Sequence, residues 1–188
     1  LDDIVNIGSR SFLHIGYHAI GNTALGYYAG TGASKVHYRT YMGYLSTDNS
    51  YSSAAFVLGN NAVTTLRCNA TSITSLSDKR DKKNISNLSV GLEFIASVQP
   101  REFNWDKREW YDNSVPDGSK TEQIPTAGFI AQELDSAQKI NNAGWLGLVD
   151  TDNPERYEAA TGNILPVLVN AIQELKEKTD LIKTRTDN

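Results

Sequence analysis

Ser77-Asp78-Lys79-Arg80-Asp81-Lys82-Lys83-Asn84-Ile85 is the stretch at which the chain changes character. Ahead of it, residues 1–76 hold eight of the 14 Gly, seven of the nine Tyr, all three His and no Pro. From it onward, residues 77–188 hold all five Pro, all three Trp and 33 of the 40 charged side chains. A polar, charge-dense joint between two such compositions marks a domain boundary, so residues 1–76 and 77–188 are read as separate domains. The same stretch places a hydroxyl and several amines within a few residues of each other, the raw material of a Ser–Lys nucleophile pair. Its plainer reading is a solvated connector whose Ser or Asp caps a helical turn.

Composition narrows the classes. The hydrophobic share, 39% of 188 residues, is low for a globular chain. A form with much surface per residue, or one that buries surface against copies of itself, fits that shortage. The first domain carries a net +1 and the second −5, so neither is a basic footprint for duplex nucleic acid. No apolar run reaches the length of a membrane span and no signal-peptide pattern is present. Leu1 in place of an initiator methionine points to a fragment of a longer chain. Cys68 is alone, which excludes an internal disulfide.

The first domain contains a short repeat, aliphatic-Gly-x-x-Ala. Three consecutive copies run through Ile15-Gly16-Tyr17-His18-Ala19, Ile20-Gly21-Asn22-Thr23-Ala24 and Leu25-Gly26-Tyr27-Tyr28-Ala29. Looser copies start at Ile7, Met42 and Leu58. A five-residue period matches neither a helix nor strand alternation. It suits a coil of short strands and Gly turns, with a small residue at each tight corner and an aliphatic one inside, stabilised by stacking on neighbours or identical chains. Lys35 to Ser46 and Ser53 to Ile73 read mostly as strands, with Ala54–Leu58 and Ala62–Leu66 forming a hairpin around Gly59-Asn60-Asn61. Thr71 to Leu76 continues in an alternating, extended pattern. His14 and His18, four apart, would ligate a metal only on one helix face, which the repeat argues against, so no metal or other cofactor is expected.

Past the joint the pattern is α+β. Ser89 is expected to cap a helix over Val90–Val98, with apolar positions at 92, 95 and 98, which Pro100 stops. Arg101–Trp105 and Thr126–Ala131 read as strands, the second leading into a short helix over Gln132–Ala137. Leu146–Val149 and Arg156–Ala160 read as further strands. Asn163 is expected to cap a last helix with Pro166 in its first turn. Leu168, Ile172, Leu175, Thr179 and Ile182 then fall at alternating spacings of four and three, an a/d seam of coiled-coil type flanked by Glu174, Lys176, Glu177 and Lys178. Over about two heptads such a seam faces either a partner or the chain's own body, and the partner-facing reading is adopted.

Four separated motifs recur in register: Ser77-Asp78-x-Arg80-x-Lys82-x-Asn84-Ile85; Leu92-x-x-Ile95 with Pro100-x-x-Phe103-x-Trp105; Gly128 to Glu133; and Leu165 to Leu175. Together, over about residues 77–184, they resemble the C-terminal intramolecular chaperone domain of bacteriophage tailspikes, tail fibres and neck appendages, of the endosialidase type. The Gly-repeat segment more loosely resembles the β-structured shaft or tip of such fibres. The resemblance implies an intertwined homotrimer in which the C-terminal domain directs assembly of the fibre ahead of it. The domain then releases itself by cutting at the motif serine. Carried onto this sequence, the dyad is Ser77 and Lys82. The mature part would go to the virion tail, made in the bacterial host cytoplasm, with no nucleic-acid or membrane partner.

No His follows residue 37, so a Ser–His–Asp triad within the C-terminal domain is excluded. Lysine is then the base of suitable type, and it accepts a proton only when its pKa falls from about 10.4 towards neutrality, through burial or nearby positive charge. Arg80, or residues of neighbouring chains, would supply that charge, while Asp78 and Asp81 serve orientation or capping. Attack on the carbonyl of Leu76 cuts the Leu76–Ser77 bond; Ser77–Asp78 is the variant. Two rivals stand beside this reading: a non-catalytic trimeric adhesin or fibre tip with a permanent coiled-coil cap, and a membrane-tethered transcription factor released by the same domain. A host glycan or receptor would meet the first domain through Tyr17, Tyr27, Tyr28, Tyr38, Tyr41 and Tyr44.

Overall fold

Gly8, Gly26, Gly43 and Gly59 each end a three-residue strand, and each has a positive φ, from 67° to 135°. The strands are β1 (Val5–Ile7), β2 (Thr23–Leu25), β3 (Thr40–Met42) and β4 (Phe56–Leu58). They pair in that order, all parallel, with Val5 beside Thr23, Thr23 beside Thr40 and Thr40 beside Phe56. The N–H of each later glycine donates to the carbonyl before the glycine one rung back: Gly26 to Ile7 and Gly43 to Leu25 at 2.8 Å, Gly59 to Met42 at 2.7 Å. A Cβ on Gly8 or Gly26 would press on the next glycine's carbonyl oxygen, so the column admits no side chain. The result is a parallel β-solenoid.

This computed structural model describes residues 4–12, 19–31, 36–47, 54–70 and 72–186. The chain divides into two units, Leu1–Lys83 and Asn84–Asn188. By its contacts the charged stretch 77–83 belongs to the first.

Strands stacked into a coil were expected, but on a different period. The rungs advance by 18, 17 and 16 residues. The copies of the repeat that start at Ile7, Leu25, Met42 and Leu58 are equivalent corners, one per rung. The copy at Ile20 sits on another corner, where Gly21 has φ 66°, and most of the copy at Ile15 lies outside the described residues. The Gly at this second corner of one rung, five residues before Gly26, produces the apparent five-residue spacing; the same corner holds Tyr38 and Ala54 on the following rungs, also at positive φ. The small residue of the motif, expected at a tight corner, is buried at Ser11, Ala29 and Ser46 and exposed at Ala62. The aliphatic residue, expected inside, faces out: Ile7, Leu25, Met42 and Leu58 are all exposed. Strand alternation explains this, because the middle residue of the β2, β3 and β4 triplets takes the inward side. Ala24 and Tyr41 fill the interior with Phe12, Ala29 and Val36. Buried Asn22 bridges rungs, donating to the Val36 carbonyl and accepting from the Arg39 N–H, both at 2.9 Å.

The expected long strands contract to these triplets. The hairpin at 54–66 does not form. Gly59-Asn60-Asn61 is a solenoid corner, held by Asn60 accepting from the Ala62 N–H at 2.9 Å, and residues 63–70 and 72–76 lie exposed without strand pairing. β4 already has its partner in β3.

The second unit mixes α and β and ends in a long helix. Helices α1 (Leu92–Ser97), α2 (Ala131–Ile140) and α3 (Leu165–Thr186) enclose a core of Phe94, Val98, Leu134, Leu148, Ile164 and Val167. β5 (Arg101–Phe103) pairs antiparallel with β6 (Thr126–Gly128), and β7 (Val149–Asp150) with β8 (Glu158–Ala159). Each is shorter than its expected strand, because each has a single neighbour to pair with. Gly128 leaves room for the Phe103 ring. Two expected caps are taken by other groups. Gly91, not Ser89, precedes α1, and no side chain of its own closes that end. Asn163 lies in a 3-10 turn ahead of α3 and donates instead to the Leu146 and Gly147 carbonyls. Pro166 does sit in the first turn of α3.

α3 has two apolar faces. Ile164, just before it, and Val167 and Ala171 are buried against the unit's own core, with Leu168 half-buried beside them. Leu165, Val169, Ile172, Leu175, Leu181 and Ile182 are exposed. The seam read from the sequence is thus covered only at its first residue.

Candidate active site

The site begins in extended chain. Leu76 has its side chain fully exposed. Ser77 and Asp78 follow, then a 3-10 turn over Lys79–Asp81. Asp78 makes that turn. Its carboxylate accepts from the Arg80 N–H at 2.8 Å, a capping bond to a donor that has no partner within the turn. The Arg80 guanidinium closes on the same carboxylate through Nε at 3.0 Å and Nη2 at 2.8 Å. The Asp81 N–H donates to the Asp78 carbonyl and the Lys82 N–H to the Lys79 carbonyl. Asn84, with φ 55°, then turns the backbone away.

Folding the chain back over this turn returns Lys82 to Ser77. The Lys82 ammonium Nζ donates to Ser77 Oγ and, at 3.2 Å, to the Ser77 carbonyl oxygen. The two residues singled out from the sequence are therefore in direct contact within one chain. Asp78 is the capping residue, as expected of it. Arg80, expected as a positive neighbour for the lysine, is instead neutralised by Asp78, which its hydrogen bonds hold below the usual carboxylate range. Every residue from 72 to 87 is exposed, so water reaches the whole site.

Other candidates are dispersed. His14, His18 and Tyr17 lie outside the described residues. His37 Nδ1 accepts from the Ile20 N–H at 3.2 Å. Among the described residues no His, Cys, Asp or Glu group converges to hold a metal, and no helix is long and apolar enough to cross a membrane. Tyr41, named with the surface tyrosines, is buried and packs edge-on against Phe12. Tyr27 and Tyr44 are exposed and stacked, with ring centroids 5.7 Å apart and 6° between planes.

One cluster escaped the reading of the sequence. Glu174 Oε2 accepts from the Leu92 N–H at 2.9 Å, and Asn170 donates to the Val90 carbonyl at 3.1 Å and to Glu174 Oε1 at 3.0 Å. Their spacing of four along α3 was visible; the backbone they serve lies some 80 residues earlier. Beside them an open groove of about 530 Å³ is lined by Asn87, Leu88, Pro166, Val169, Gln173 and Glu177.

The joint bends a lysine onto a serine ahead of a unit that mixes α and β. Residues 77–144 match the model of the peptidase family described as Chaperone of endosialidase. No curated protein and no solved structure matches the chain.

Proposed function

We propose that this chain is the end of a phage tail fibre or spike joined to an intramolecular chaperone, which assembles as a homotrimer and releases itself once by Ser–Lys autoproteolysis at Ser77. The contact of Lys82 Nζ with Ser77 Oγ carries the reading. In the resting chain the ammonium donates. On assembly a neighbouring copy covers Lys82, desolvation favours the neutral amine, and the amine takes the Ser77 hydroxyl proton.

Ring size selects the bond. Ser77 Oγ reaches the Leu76 carbonyl carbon through a five-membered ring, but its own carbonyl only through a strained four-membered one. Attack at Leu76 forms an ester and frees the Ser77 nitrogen, which takes up the proton as an amine. Water then opens the ester, leaving a Leu76 carboxylate and regenerating the Ser77 hydroxyl. The exposed, extended chain around Leu76 leaves that carbonyl accessible. Each chain is cut only once, so slow chemistry suffices.

The exposed a/d seam on α3 is where copies of the chaperone would meet. Joining three chains at one end raises the effective concentration of their fibre segments and sets their register. Removing the clamp afterwards makes unfolding kinetically slow. The charge balance and lack of a basic surface argue against nucleic-acid partners.

Denaturing gels with mass spectrometry of the wild type, Ser77→Ala and Lys82→Met test this. The wild type is expected to give a fragment beginning at Ser77, and both variants a single intact chain. Cutting at the wild-type rate in Lys82→Met sinks the dyad; an intact wild-type band unchanged in Ser77→Ala favours a non-catalytic tip with a permanent cap.

A further inference from the structure

Among the described residues the solenoid ladder stops at β4, which pairs with β3 alone. On the earlier rungs the first residue of each triplet donates its N–H to the carbonyl just ahead of the next triplet: Val5 to Asn22 at 3.1 Å, Thr23 to Arg39 at 2.8 Å and Thr40 to Ala55 at 3.0 Å. By the same pattern the Phe56 N–H faces the open edge. Val57, the inward residue of β4, is half-buried, whereas its counterparts Ala24 and Tyr41 are buried. The chain carries a segment in register to cover that edge. The rungs advance by 18, 17 and 16 residues, and a further 16 from Phe56 reaches Ser72. Ser72, Ile73 and Thr74 then stand opposite Phe56, Val57 and Leu58, with the aliphatic Ile73 on the inward side. Ser75 falls on the glycine column. A Cβ on Gly8 or Gly26 presses on the glycine of the rung after it, but a last rung has none after it, so a serine fits. Ser72 to Leu76 lie exposed without pairing, Ile73 at 92%.

We infer that Ser72-Ile73-Thr74 is a fifth rung, which docks on β4 of its own chain once the bond after Leu76 is cut. The inference rests on the cutting proposed above and adds what the freed end does. In the intact chain Lys82 Nζ holds the Ser77 hydroxyl and carbonyl. That contact fastens the far end of the segment to the 3-10 turn and keeps it extended, as attack on the Leu76 carbonyl requires. Cutting takes the hold away with the departing piece and makes Leu76 a free carboxyl end. The segment then turns back onto β4. Ile73 leaves water to cover Val57, and the Phe56 N–H gains an acceptor. Closing the edge also removes a strand on which a foreign chain could pair. The cut thus completes the coil as well as releasing the chaperone.

The test uses the full chain with Cys68→Ser, Leu58→Cys and Thr74→Cys, which sets two thiols opposite each other in this register. Paired strands lie about 4.8 Å apart, within disulfide reach. Under mild oxidation the thiols are expected to join within one chain at least about tenfold faster after self-cutting than in the same chain carrying Ser77→Ala. Peptide mass spectrometry reads the link, and denaturing gels report the cutting separately. Hydrogen exchange needs no cysteines: the amides of Phe56–Leu58 and Ser72–Leu76 are expected to exchange at least about tenfold more slowly in the cut wild type than in intact Ser77→Ala. A cut chain without that protection, or whose link joins different chains, overturns the fifth rung and leaves the cutting standing. Equal linking in cut and intact chains overturns the cut as its trigger. A wild type that never cuts overturns both readings.

Discussion

Glu174 Oε2 accepts a hydrogen bond from the Leu92 N–H at 2.9 Å, joining a side chain on α3 to the first turn of α1 across 82 positions. The bond supplies the cap that α1 lacks locally, and a carboxylate there also meets the positive end of the helix dipole. Gly91 makes it sterically feasible, because a Cβ at that position would collide with Glu174 Oε1 and Asn170 Nδ2. Glu174→Ala is therefore expected to destabilise the protein by about 0.5–2 kcal/mol. Gly91→Ala displaces the same carboxylate and is expected to cost a similar amount. Because both changes remove one interaction, the double variant should lose less than the sum in urea denaturation. Strict additivity would show that the two residues act separately.

The turn at the proposed cutting site is capped by Asp78. Without its carboxylate the Arg80 N–H loses its acceptor, and only two backbone hydrogen bonds still hold the fold-back that brings Lys82 to Ser77. Asp78→Ala is expected to slow self-cleavage on the order of tenfold while the protein melts at an unchanged temperature, since the turn is solvent-exposed. Asp78→Asn keeps an acceptor for the N–H and should recover part of the rate. A time course on denaturing gels reads both; wild-type cutting in Asp78→Ala would remove the turn from the mechanism.

Asp135 gives the second unit an acid sensitivity with a definite sign. It is buried on α2, accepts from Lys139 Nζ at 2.6 Å and from Gln138 Nε2 at 3.2 Å, and the Lys139 bond is the chief cause of its lowered pKa. The unfolded chain thus binds the proton more readily than the folded one. The stabilisation is complete above the unfolded carboxylate value of about 3.9 and is lost as pH falls through the lower folded value. The pair also raises the Lys139 pKa, so on the alkaline side its contribution persists past the ordinary lysine range. Lys139→Met should melt below the wild type from about pH 5 to 8, and the gap should close in stronger acid. A gap that stays constant into strong acid would assign it to lost packing instead.

How much of this was legible in the sequence follows from what each feature depends on. The contact of Lys82 with Ser77 was readable because the two are five apart and Asp78 caps its own turn; all the interactions are local. The last helix was readable from its period. The solenoid was legible as a coil, but its rung length was not. Pairing Leu25 with Ile7 and Met42 depends on stacking across 18 and 17 residues, and the extra Gly corner at Gly21 mimics a shorter repeat. The expected cap Ser89 is a sound local reading, overridden because Glu174 reaches the helix end from a distant element. Tyr41 and Tyr44 are indistinguishable by composition. Strand phase sends the Tyr41 ring into the core, while Tyr44 lies in the turn beyond β3 and stays in water.

In the proposed function the outward stripe of α3 couples assembly to cutting. Val167 and Ala171 hold one face of the helix to its own unit, so Ile172 and Leu175 cannot turn inward to hide. Putting a charge on that stripe costs the single chain little but places an unpaired charge in any copy-to-copy contact. Ile172→Glu is therefore expected to leave the melting of the isolated unit within about 0.5 kcal/mol of the wild type. It should also abolish the oligomer in sedimentation. If a neighbouring copy must cover Lys82 before it loses its proton, the same variant should cut at least about tenfold more slowly, and dilution should slow the wild type likewise. Cleavage that proceeds at one rate regardless of concentration, in a variant that sediments as a monomer, would show that one chain activates its own lysine and that the seam serves the fibre alone.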